Sequence, residues 1–197
     1  MGRGTPAVVI LSGPNGAGKS TLAGELLAGV LRVSEFVDAD VLARGLPPSE
    51  AAAVTAGRAM LRRLDALTNA RRSFGFETTL ASRSLAPRIR RLIASGYECH
   101  LIFLWLPSPD QAVARVAARV RLGGHAVPEE TIRRRYRSGL RNLFSLYRPL
   151  TTTWRVYDNS ADTPRLAASG AGARTMTIEA PEIWQRIRAE VGHEAQD

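Results

Sequence analysis

The sequence predicts an α/β domain built on a parallel sheet flanked by helices. Apolar runs of strand length alternate with amphipathic stretches of helix length along the whole chain. A glycine-rich loop joins the first strand to the first helix, the junction at which such sheets bind ligands. The length, 197 residues with 45% hydrophobic side chains, suffices for one well-buried core.

The elements follow in order. Ala7–Ser12 reads as a strand, and a helix begins near Gly18 and continues to about Leu31. Glu35–Asp38 reads as a short second strand. Pro47 and Pro48 then open a helix to Asn69, with Ser49 as its N-cap. Ser73–Glu77 is a third strand, and a helix from about Arg83 to Ser95 ends at Gly96. Glu98–Leu106 is continuously apolar after its first residues, as a strand covered on both faces should be. A helix starts near Pro109, breaks at Gly123-Gly124, and gives way to another that opens at Pro128 and runs to about Tyr147. Trp154–Tyr157 is a strand, and Ser160–Arg174, rich in Ala, Gly and Ser, reads as an exposed connection. Thr175–Ile178 and Pro181–Glu190 supply a last strand and helix, the C-terminal pair within 175–190. No repeat or boundary divides the chain, so residues 1–197 read as a single domain.

Composition excludes several classes. A charged fraction of 23% argues against global disorder. The single cysteine, Cys99, permits neither an intramolecular disulfide nor an all-cysteine metal site, and predicts a reducing compartment. The longest apolar stretch, Leu101–Leu106, is too short to span a membrane, and Ala7–Leu11 is too short for a signal-peptide core. The cytoplasm is the expected location.

The net charge of +9 invites a nucleic-acid reading. Its composition redirects that reading: of 27 basic side chains, 26 are arginine and one is lysine, Lys19. Lys19 lies in Gly13-Pro14-Asn15-Gly16-Ala17-Gly18-Lys19-Ser20, which satisfies G-x-x-x-x-G-K-[ST] between a predicted strand and a predicted helix. Glycines let such a loop turn its backbone N–H groups toward phosphate oxygens, and the helix start adds partial positive charge. Lys19 is placed to reach the β- and γ-phosphates, and the Ser20 hydroxyl to ligate Mg²⁺. A bulky guanidinium does not replace a compact ammonium there, so the one retained lysine coincides with the one position that demands it.

Carboxylates follow the shorter strands: Asp38 and Asp40 after the second, Glu77 after the third. In a parallel sheet these strand ends share an edge with the phosphate loop, where a carboxylate can deprotonate an acceptor hydroxyl. Asp40 is the candidate base, with N-capping of the following turn as its structural alternative. Glu77, Thr78, Thr79 and the nearby Arg83 form the candidate acceptor-binding set. Nine arginines between 115 and 148 oppose only Glu129 and Glu130, a local balance of +7. Two helices flanking Gly123-Gly124-His125 predict an arginine-rich lid over approximately 115–137, with Arg119 and Arg121 as candidate catalytic arginines. Arg133 to Arg137 cannot all face one site, since a helix distributes consecutive residues around its axis.

Gly13–Thr21, Phe36-Val37-Asp38-Ala39-Asp40, Phe76-Glu77-Thr78-Thr79 and Arg115–Pro128 together resemble the zeta toxin family of P-loop kinases. The stretch Gly123–Pro128 with Tyr157-Asp158-Asn159-Ser160 resembles its chromosomal branch. The resemblance implies a three-layer P-loop kinase fold and ATP-dependent phosphorylation of a UDP-activated amino sugar, typically UDP-N-acetylglucosamine. It implies that Lys19, Ser20 and the loop through Thr21 handle ATP and Mg²⁺. Asp40 falls where the family places its activating aspartate, Glu77 and Thr79 fall in its acceptor segment, and Arg119 matches a lid arginine. An antitoxin partner is implied as well. Two departures stand out: the glycines flanking the family's acceptor threonine are absent, and His125 occupies the place of a second lid arginine, leaving Arg121 as a substitute. A kinase for another small molecule or a nucleic-acid end, and a nucleotide-gated RNA-binding protein, stay open as alternatives.

Overall fold

The computed structural model describes residues 5–23, 33, 35–38 and 50–193. Its centre is a seven-stranded sheet, β1 (Ala7–Ser12), β2 (Phe36–Val37), β3 (Phe74–Thr78), β4 (Glu98–Trp105), β5 (Thr153–Asp158), β6 (Arg165–Ala171) and β7 (Arg174–Ile178), in the order β2-β3-β1-β4-β5-β6-β7. The first five strands in that order pair in parallel; β6 pairs antiparallel to β5, and β7 antiparallel to β6. Helices flank it: α1 (described at 19–23), α2 (Glu50–Asn69), α3 (Ala86–Ala94), α4 (Pro109–Arg121), α5 (Glu129–Asn142), a π-helical stretch (Leu143–Tyr147), the short α6 (Arg148–Leu150) and α7 (Pro181–His193). Among the described residues no helix is long and apolar enough to cross a membrane.

The central strands are apolar for a physical reason. Val8 to Leu11 and Leu101 to Trp105 are all buried, so both faces of β1 and β4 are covered. Ser12 is the polar exception at the end of β1; its hydroxyl donates to Ile102 O at 2.8 Å. Ser108 caps α4 by accepting from Gln111 N at 3.1 Å, and Pro109 occupies the first helical turn. Cys99 is fully buried in β4, and burial pushes its thiol up to about 12. Iodoacetamide at pH 8 is therefore expected to leave the folded protein unlabelled and to label it once guanidinium unfolds it, because the thiolate is the nucleophile. Equal labelling of both states would contradict this burial.

Three sequence expectations change. The segment Ser160–Arg174 is not an exposed connection: Arg165–Ala171 forms β6, paired with both β5 and β7. Its small residues answer to tight packing, since a Cβ on Gly170 would overlap Trp154 and the carbonyl of Arg174, and Ala167 and Ala168 are fully buried. The helix expected from Arg83 starts at Ala86, with Pro87 in its first turn. The helix expected to continue to Tyr147 leaves α geometry after Asn142 and becomes π-helical. Ser49, the expected N-cap of α2, lies outside the described residues.

β6 and β7 dock through an aromatic cluster. Trp154 stacks on Trp184 of α7 at 5.8 Å and donates its indole N–H to Gly172 O at 2.9 Å. The Arg148 guanidinium lies 4.4 Å over Trp154 and 5.2 Å over Phe144, and donates to Ala173 O at 2.8 Å.

Candidate active site

The phosphate-loop sequence connects β1 to α1 at the carboxyl edge of the sheet, with helical geometry beginning at Lys19. Ala17 N donates to Pro14 O at 3.2 Å, which closes a turn within the loop. The loop is braced from outside. Asn159, buried at the end of β5, donates its amide to Ala17 O at 2.7 Å. Gly18 has φ of +81°, and a Cβ there would lie 2.7 Å from that same Asn159 amide. Glycine at this position thus satisfies both the backbone conformation and a close approach.

Strand order decides where Glu77 points. β3 is the parallel neighbour of β1, with Leu11 opposite Glu77 and Ser12 opposite Thr78. The Glu77 carboxylate therefore reaches the loop itself: Ser20 Oγ donates to Oε2 at 3.0 Å, and Lys19 Nζ lies 3.5 Å from Oε1. Lys19 also donates to Pro14 O at 2.8 Å and is only 5% exposed. The acceptor-binding candidate is thus a direct partner of the two residues expected to handle phosphate and metal. Thr78 and Thr79 follow it at the end of the strand, half-buried, while Arg83 is exposed. Asp38 directly follows β2, the strand beside β3, and Asp40 lies outside the described residues.

α4 and α5 pack together, joined through the glycine-containing break, and α4 lies beside the loop, where a Cβ on Gly16 would meet Ala112 O and Arg115. Their arginines differ sharply in use. Arg119 donates to His125 O at 2.8 Å and keeps its buried Nε without a hydrogen-bond partner among the described residues. Arg121 is exposed. Arg133 is drawn to Asp110 at 2.6 Å and to Glu129 at 2.8 Å, and those carboxylates raise its pKa further.

Two arginines not singled out from the sequence lie next to the loop machinery. Arg115 donates to Asn159 O at 2.8 Å and to Ser160 O at 2.7 Å, holding the segment that braces Ala17. Arg135 approaches Asn15 Oδ1 at 3.5 Å. A signal for Arg115 was available: it lies three residues from Ala112, on the same face of the helix, and Ala112 is buried, so Arg115 lies at the edge of the covered face.

A braced phosphate loop, a lysine and serine meeting one carboxylate, and the β2-β3-β1-β4-β5 parallel core define a nucleotide-binding domain with the P-loop kinase fold. A model of the AAA domain family matches residues 8–140, and the chain belongs to that family. An uncharacterized protein of Haemophilus influenzae is 29% identical over 130 residues, covering 65% of this chain and 91% of that one. The structure reported for the PezAT chromosomal toxin-antitoxin system of Streptococcus pneumoniae superposes with a TM-score of 0.64 at 15% identity, covering 100% of this chain and 90% of that one. The AvrRxo1-ORF1:-ORF2 structure with ATP superposes with a TM-score of 0.64 at 16% identity over 93% of this chain. This chain spans 63% of that one. At such identities the structural likeness is one of fold.

Proposed function

We propose that the protein is an ATP-dependent phosphotransferase that moves the γ-phosphoryl group to a hydroxyl of a small acceptor, with a UDP-activated amino sugar favoured. The observation that carries the reading is the convergence of Lys19 and Ser20 on Glu77 at the end of the strand beside β1. Those groups fit a nucleotide with a divalent cation: a hydroxyl and a carboxylate offer hard oxygen ligands, and the ammonium offers charge to the phosphates. Ser20 and Glu77 would hold Mg²⁺, which supplies charge neutralisation on the phosphate oxygens.

In the transfer, the acceptor oxygen bonds to the γ-phosphorus while the bond from that phosphorus to the β-phosphate oxygen breaks, leaving ADP. The hydroxyl proton passes to Asp40. Lys19 offsets charge that develops on the transferring group, and the lid of α4 and α5 contributes Arg119 and Arg121. The buried Nε of Arg119 is a donor without a partner among the described residues, which an anionic group would satisfy. The resemblance to the zeta toxins supports the UDP-sugar, the PezAT toxin-antitoxin neighbour supports an antitoxin-type partner, and the AvrRxo1-ORF1:-ORF2 neighbour supports a partner protein.

The test is mass spectrometry of a metabolite pool incubated with the protein and Mg-ATP, followed by purified UDP-N-acetylglucosamine. Gain of one phosphate on the UDP-sugar is the expected result, and no phosphorylated product from any acceptor overturns the reading. Asp40→Asn is expected to keep ATP binding by calorimetry while transfer falls by roughly 10²–10⁴-fold, the usual weight of a general base. Full activity in Asp40→Asn removes it as the base.

A second reading rests on Arg134, Arg137 and Arg141, exposed at three- and four-residue spacing along α5. Such a stripe suits nucleic-acid phosphates. Oligonucleotide binding that collapses with rising salt, without ATP consumption on small acceptors, would favour it over the kinase reading.

A further inference from the structure

The segment after β3 is gripped along its backbone from one side. A Cβ on Gly139 of α5 would overlap the carbonyl oxygen of Thr79, so helix and segment meet at backbone distance. The buried Asn142 amide donates to Leu80 O at 2.8 Å and to Ala81 O at 3.2 Å. The Tyr147 hydroxyl donates to Ser82 O. Four consecutive carbonyls, from Thr79 to Ser82, are therefore met by three residues of one continuous helical element.

Helix geometry explains how one element does this. Gly139 and Asn142 are three residues apart and share a face on an α-helix. Asn142 and Tyr147 are five apart, and on a regular α-helix they would point about 140° away from each other. The π-helical stretch Leu143–Tyr147, with its wider turn, brings them to the same side. The segment so held is unusual in itself. Leu80 is fully buried with φ of +56°, a conformation that residues with side chains rarely adopt. Thr78 Oγ1 accepts from Leu80 N at 3.1 Å, and Thr79 Oγ1 lies 3.5 Å from Ala81 N. Hydroxyls that accept in this way still carry their own protons to give, which suits an acceptor rich in oxygen.

We propose that Gly139, Asn142 and Tyr147 are positioning residues for the acceptor: the π turn fixes segment 79–82, beyond Glu77, and thereby sets affinity for the hydroxylated substrate without acting on ATP. The inference rests on the kinase reading above. It assigns a reason for the π turn, which otherwise interrupts a helix at no evident benefit. The strained Leu80 becomes the price of aiming Thr78 and Thr79.

The experiment compares wild type, Tyr147→Phe and Asn142→Ala in steady-state transfer with Mg-ATP and the acceptor found by mass spectrometry. Tyr147→Phe removes a single hydroxyl and keeps the ring in the core, so it decides the question if Asn142→Ala fails to fold. The expected result is a rise in acceptor KM of about tenfold, within the ~10²-fold that a 1 Å misplacement can cost, with the KM for ATP unchanged. A parallel rise in both KM values, or a fall in kcat alone, assigns the grip to general stability and overturns the proposal. Wild-type protein that phosphorylates no acceptor overturns the kinase reading and this proposal with it, an outcome distinct from variants that match an active wild type, which overturns the proposal alone.

Discussion

Lys19→Ala and Lys19→Arg are both expected to lower phosphoryl transfer by about 10²–10³-fold, the usual effect of deleting one preorganised charge-stabilising donor. Alanine removes the ammonium outright. Arginine keeps the charge but must fit a planar fork where Lys19 is 5% exposed, wedged between Pro14 O at 2.8 Å and the Glu77 carboxylate at 3.5 Å. The arginine variant is the sharper test, since every other basic position in this chain is already arginine. Initial rates with saturating Mg-ATP, alongside circular dichroism to confirm the fold, measure the effect. A Lys19→Arg enzyme at wild-type rate would show that the loop needs only charge, not shape.

Trp154→Ala is expected to cost about 3–5 kcal/mol of stability, as large aromatic deletions in cores do. At roughly 2–4 °C per kcal/mol for a chain of this size, Tm falls by about 10 °C. Trp154 is 1% exposed, and its loss removes the stack on Trp184, the hydrogen bond to Gly172 O and the surface under Arg148. Arg148 is left worse off than before: burial and nearby Arg188 already lower its pKa, and its Nε has no hydrogen-bond partner among the described residues. Calorimetric scans of both proteins measure the shift. A change under about 0.5 kcal/mol, the range of surface substitutions, would mean that the cluster does not hold β6 and β7 in place.

The parts of the fold that were legible in the sequence are those buried on both faces. Ala7–Ser12 was placed at both ends and Glu98–Trp105 within one residue, because a strand covered on two sides must be apolar throughout. β6 was missed for the opposite reason. Ala167, Ala168 and Gly170 carry no hydrophobic pattern of their own; the alanines are fully buried, and Gly170 is small because Trp154 fills the space beside it. The π turn was equally invisible, since Leu143–Tyr147 is as apolar as an α-helix and its geometry answers to a tertiary contact with Ser82. At the site, the phosphate loop was readable because its chemistry is contiguous. The engagement of Glu77 with Lys19 and Ser20 was not, because it depends on β3 rather than β2 lying beside β1.

The C-terminal helix has a bearing on what counts as one unit. The family match stops at residue 140, yet Glu190 of α7 accepts from Tyr136 at 2.8 Å and from the Trp105 indole at 3.3 Å. Asn159 likewise holds the phosphate loop from beyond the matched region. The family match thus covers a shorter span than the contacts that hold the site together. A fragment cut at residue 140 would keep every residue of the nucleotide signature and lose the struts that hold it in shape. What is inherited as a motif works here only as part of a larger frame.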